Sequence, residues 1–127
     1  MPLGLCEKKA VFLFLACISI MDEIVVLVAA GSEEEGLKIS RILVEEKVVA
    51  CVNILPGIRS VFRWEEKVTE EKEVLLVAKT VSGAFDRVVS VVRANHSYAI
   101  PEIIALPIQS GLSEYLSWVR EMVSAPA

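Results

Sequence analysis

Ile24-Val25-Val26-Leu27-Val28 is an unbroken apolar run of strand length, and a serine-led acidic turn follows it within a few residues. That adjacency constrains the chain more than any other feature. A continuous apolar run fits an interior strand covered on at least one face. Ser32 with Glu35 three residues later reads as a capping box, and Glu33 and Glu34 add negative charge where a helix dipole favours it. A sheet layer under a helix layer is the expected outcome. Leu37, Ser40, Leu43 and Val44 are expected to form the buried seam of that helix. The three glutamates are read as capping and solubility, not as a metal-binding cluster.

The remaining elements follow from period and punctuation. Val48 to Trp64 reads as a strand interrupted at Pro56-Gly57, and Lys67 to Thr80 as a second long strand with Val74 to Ala78 buried. The two are expected to pair as a hairpin with Glu65-Glu66 at its tip, although no glycine is there to supply the positive φ of a tight turn. By alternation Ser60, Phe62 and Trp64 share one face, with Val61 and Arg63 on the other. A ribbon exposing aromatics calls for a second surface to cover them, so an oligomer contact is expected. Ser82 to about Asn95 reads as a helix with Phe85, Val88, Val89 and Val92 as its stripe, closed by Asn95 in a left-handed turn. Ile103 to Ile108 supplies a fourth strand. Leu112, Tyr115, Leu116, Val119, Met122 and Val123 space a last helix, with Gly111 and Ser113 marking its start. The order strand, helix, strand, strand, helix, strand is that of an α+β, ferredoxin-like split βαβ sandwich (βαββαβ) with right-handed crossovers, plus a C-terminal helix.

At 127 residues the chain holds one domain with a real core and no need of disulfide staples. A formal charge of −4 argues against a nucleic-acid surface. Lys8 and Lys9 precede an apolar run from Ala10 to Met21, which has the length of a signal-peptide core and falls short of the ~20 residues of a bilayer span. No stable membrane insertion is expected. Residues 1–20 are therefore read as an apolar extension, from an upstream start or a signal-like segment, and residues 21–127 as the domain, with the cytoplasm as expected compartment. Cys6, Cys17 and Cys51 give neither a disulfide framework nor a zinc ribbon, and Cys51 among valines reads as a small core side chain.

No glycine-rich phosphate loop, Gly-x-Ser-x-Gly elbow or His-Glu-x-x-His helix is present, so no enzymatic activity is expected. Cys51 and His96 as a nucleophile pair would lack an electropositive setting to make a thiolate. His96 is the chain's one histidine, beside Tyr98 and Glu102 in the stretch His96-Ser97-Tyr98-Ala99-Ile100-Pro101-Glu102. Any imidazole chemistry belongs there.

That stretch, with Ala50-Cys51-Val52-Asn53, Pro56-Gly57, Trp64-Glu65-Glu66-Lys67 and Lys79-Thr80, resembles the CutA family of divalent-cation tolerance proteins, from Met21 to about Val123. Two departures stand out: the family's His-Pro-Tyr has Ser97 here, and its Trp-x-Gly-Lys has Glu66. The resemblance implies the ferredoxin-like fold, a tight homotrimer built by sheet extension, and a link to divalent cations, copper being the usual suggestion. Imidazole and thiolate suit copper or zinc, so His96, Glu102 and Cys51 are the metal candidates, with neighbouring subunits completing the ligands and no cofactor required otherwise. A structural His96, bonded to a carbonyl or to Glu102, accounts for the same residues. A third reading is a trimeric small-molecule receptor, by analogy with nitrogen-regulatory signalling proteins of similar plan. Its candidate cleft is Trp64, Lys67, Lys79, His96, Tyr98 and Glu102.

Overall fold

The computed structural model describes residues 22–124, and the extension expected over residues 1–20 lies outside the described residues. The elements are β1 (Glu23–Ala30), α1 (Glu33–Glu45), β2 (Cys51–Trp64), β3 (Lys67–Val81), a 3-10 turn (Ser82–Ala84), α2 (Phe85–Asn95), β4 (Ile103–Pro107) and α3 (Ser113–Met122). The four strands make one antiparallel sheet in the order β2-β3-β1-β4. The α+β element order expected from the sequence is met, with α3 as the added helix.

Alternation divides the sheet into two unlike faces. Ile24, Val26, Val28 and Ala30 of β1 and Val74, Leu76 and Ala78 of β3 are buried beneath α1 and α2 with Ile39, Leu43, Val88 and Val92. Each such valine, leucine or isoleucine contributes roughly 1.5–3 kcal/mol relative to exposure. Thr80 continues this face and satisfies its buried hydroxyl by donating to the Val48 carbonyl at 2.7 Å. On the opposite face Val25, Leu27, Leu75 and Val77 are half-buried, and Leu55, Ile104 and Leu106 are 43%, 49% and 50% exposed. α3 crosses part of this face, tied down where Arg120 meets Glu23 at 2.8 Å.

α1 keeps Ser40 and Leu43 of its expected seam and departs from the rest. Gly36, Ile39, Ser40 and Leu43 are its buried residues, while Leu37 and Val44 are exposed. The cause is Gly36: a Cβ there would lie 2.9 Å from Val74 Cγ2, so only glycine lets the helix backbone approach this close. The contact line is thereby turned one residue away from Leu37. In α2, Val88 and Val92 are buried, with Phe85 and Val89 half-buried beside them. Asn95 does not take the left-handed form. Its Nδ2 donates to the Val91 carbonyl at 2.8 Å, and the helix leaves through an extended His96. Of the apolar spacing expected in α3 only Val119 is buried; Leu112, Tyr115 and Met122 are exposed.

β2 and β3 pair throughout as expected, with a bulge between Leu55 and Ile58 where Gly57 takes φ +72°. Trp64 faces Lys67 across the last rung, so Glu65 and Glu66 form the two-residue tip. Their φ values are 49° and 65°. Both glutamates thus hold a left-handed conformation that L side chains disfavour by about 1–2 kcal/mol each.

Candidate functional site

His96 follows the last residue of α2 and turns its ring onto the far end of β1. Nδ1 accepts the Tyr98 backbone N–H at 3.0 Å, so Nε2 carries the proton and donates to the Ala29 carbonyl at 2.7 Å. The side chain is 0% exposed. With both nitrogens engaged, the imidazole fixes the start of the connection between α2 and β4.

Two carboxylates from other elements hold the next two residues. Glu35 of α1 accepts the Ser97 N–H at 2.5 Å and the Ser97 hydroxyl at 3.1 Å. Ser32 Oγ still caps α1 by accepting the Glu35 N–H at 3.1 Å, but the Glu35 side chain does not return the second bond of a capping box. It reaches Ser97 and the Gly31 N–H instead. Burial works to raise the Glu35 carboxyl, yet the Ser97 bonds, nearby His96 and the Gly31 N–H outweigh it and leave the group below the ordinary value of 4.5. Glu73 of β3, itself buried, accepts the Tyr98 hydroxyl at 2.7 Å. Burial and that bond push the Tyr98 phenol up to about 12, so it stays a donor at any ordinary pH. The His96 and Tyr98 rings lie 4.8 Å apart between their centroids.

Glu35 and Glu73 are the site residues the sequence does not announce. Glu35 carries a capping signal that explains it fully on local grounds, and its second role depends on a contact 62 positions away. Glu73 stands next to the buried run of β3, and its phenol partner is likewise remote.

The other expected members lie elsewhere in the subunit. Cys51 is half-buried on the sheet's outer face under α3, not in the core beneath α1 and α2, because it pairs directly with Lys79. Its Sγ shares a hydrogen bond with Tyr115 Oη at 3.4 Å; that bond, with burial, raises the Tyr115 phenol to about 12. Lys79 Nζ donates to Asn53 Oδ1 and to the Val77 carbonyl. Lys79 faces Val25 across the ladder, four residues along β1 from Ala29, or about 13 Å from the His96 anchor. Trp64 and Lys67 are at the hairpin tip, six residues beyond Glu73, or about 20 Å. Glu102 is exposed just ahead of β4.

One subunit thus brings His96 and Tyr98 together and leaves Cys51 with Lys79, and Trp64 with Lys67, as separate groups. Nor do the metal candidates fit a metal within it. Among the described residues no three of His, Cys, Asp or Glu converge. The nearest approach at His96 is Nδ1 to Glu35 Oε2 at 4.0 Å.

Comparison with known proteins agrees with this architecture. The family described as CutA1 divalent ion tolerance protein matches residues 24–122. The divalent-cation tolerance protein CutA of Thermus thermophilus is 50% identical over 101 residues, covering 80% of this chain and 97% of that protein. The chloroplastic protein CutA of Arabidopsis thaliana is 46% identical over 100 residues, and the chain spans 55% of its length. The solved structure of the periplasmic divalent cation tolerance protein CutA of Archaeoglobus fulgidus is 42% identical, superposes with a TM-score of 0.78, and covers 80% of this chain and 99% of that one.

Proposed function

The chain belongs to the CutA1 divalent ion tolerance family, and from that premise we propose that it is a non-enzymatic homotrimeric binding protein serving divalent cation tolerance, with copper as the cation. The observation that carries the assembly is the sheet's outer face, where Leu55, Ile104 and Leu106 stand 43–50% exposed. Apolar area of that kind calls for a partner surface. Since Cys51, the hairpin tip and the His96 segment lie apart in one subunit, cation contact is assigned to junctions between subunits, where Glu102 and the tip of a neighbour can meet. The cytoplasm is the proposed compartment, on the strength of the free Cys51 and the lack of a disulfide framework. No helix among the described residues is long and apolar enough to cross a membrane.

One observation favours a second reading, the small-molecule receptor. Both ring nitrogens of His96 are spent on the protein's own backbone, so a metal at Nδ1 has to displace the Tyr98 amide. An organic anion between the exposed edge of Tyr98 and the Lys67 tip of a neighbouring subunit needs no such change. Calorimetric copper titration separates the two, in a Cys6→Ser/Cys17→Ser background so that the extension does not compete. Under the metal reading His96→Ala loses stoichiometric copper while remaining a trimer. Equal affinity in parent and variant removes His96 from cation binding.

A further inference from the structure

The hairpin beyond the bulge carries a surface that neither the cation nor the receptor reading uses. β1 ends opposite Val74, and α1 passes close by there, with Gly36 over Val74. Past that rung the helix-side face of the sheet continues onto a two-stranded arm. Three rungs make up this face: Arg59 opposite Lys72, Val61 opposite Glu70, and Arg63 opposite Val68. All six are exposed, Val61 to 63% and Val68 to 69%. In a chain of net charge −4, the face holds three cations and one carboxylate. That carboxylate, Glu70, is already matched by Arg59 at 3.5 Å. Phe62 and Trp64 point to the opposite side of the ribbon, so this face is separate from the aromatic one.

We propose that the Arg59, Val61 and Arg63 face of the hairpin arm docks an extended acidic peptide segment of a partner protein, with an acid, an apolar residue and an acid at alternate positions. The geometry selects that occupant. Side chains i, i+2 and i+4 of an extended peptide share one face and span about 13 Å, the same spacing that separates Arg59, Val61 and Arg63 on β2. One outer acid meets Arg63, the other meets Lys72 beside the Glu70-paired Arg59, and the central side chain covers Val61 and Val68. A nucleic acid is disfavoured, because a phosphate backbone would run across the exposed apolar Val61 and Val68.

The test uses the full chain and a fluorescein-labelled peptide, Gly-Ser-Glu-Thr-Val-Thr-Glu-Ser-Gly, read by anisotropy. Matched probes carry lysine in place of both glutamates, or are a single-stranded ten-nucleotide DNA. Docking predicts binding of the acidic peptide that weakens with added salt, is absent for the lysine peptide, and falls by about tenfold or more in Arg59→Glu/Arg63→Glu. Val61→Ser weakens it with no change in salt dependence. Light scattering on each variant must give the parent oligomer. No binding, equal binding by the charge-reversed variant, preference for the DNA, or a changed oligomeric state in the variant each overturns the proposal, the last by making the face an interface between copies of this chain.

Discussion

Glu35 caps one turn and anchors another, and the second duty makes it sensitive to pH. Its folded-state pKa lies below 4.5, so its contribution is complete above the unfolded value and disappears as pH falls through the lower folded one. Glu35→Gln should therefore cost about 1 kcal/mol at neutral pH and flatten the acid limb of the stability curve, measured by denaturant unfolding at a series of pH values. An acid limb identical to the parent's would show that the Ser97 bonds carry no net energy. Tyr98 makes a sharper case, since Tyr98→Phe leaves the buried Glu73 carboxylate without its phenol donor. A loss of about 1–3 kcal/mol is expected, together with faster amide exchange through the segment from Ser97 to Ile100. Ser97 shows why its identity matters here: a proline in its place has neither the N–H nor the hydroxyl that Glu35 receives.

Elements were legible where a period or a punctuation mark is local. The run of β1, the paired long strands, the Glu65-Glu66 tip and the α2 stripe are all written in neighbouring residues. The α1 seam holds at Ser40 and Leu43 and fails at Leu37 and Val44, because what turns the helix is the closeness of Gly36 to Val74, a contact between elements. The His96 segment was visible as a chemical oddity, but its two anchors, Glu35 and Glu73, come from α1 and β3 and carry no signal of their own. Two substitutions test these points. Glu66→Gly relieves a left-handed glutamate at φ 65° and should stabilise by about 1 kcal/mol, seen as a higher melting temperature with unchanged assembly. Gly36→Ala should do the reverse and cost about 1–3 kcal/mol, because its methyl meets Val74 at 2.9 Å within a packed interface. A neutral Gly36→Ala would mean that α1 slides without loss and that glycine does not set its seat.

At the scale of the molecule the two sheet faces make unequal demands. The helix-side face is closed by α1 and α2, and its valines and leucines are dry within one chain. Among the described residues the outer face has only α3 across it, and its edge strand β2 runs on into an arm whose Phe62 and Trp64 are 39% and 59% exposed. No other element among the described residues crosses it, which is the physical reason that assembly, unlike the fold, is inferred from what they leave uncovered. Burying each aromatic against a neighbour is worth roughly 1.5–3 kcal/mol, so truncating both removes several times the thermal energy from each interface. The chain should run as a monodisperse trimer in light scattering, and Phe62→Ala/Trp64→Ala should dissociate at a higher protein concentration while keeping the circular dichroism of the parent. The fold of each subunit should survive, because neither side chain belongs to the core beneath α1 and α2. A monomer at every concentration would leave the outer face without a partner of its own kind, and a double variant as stable in assembly as the parent would move the subunit contact off the arm and onto Leu55, Ile104 and Leu106.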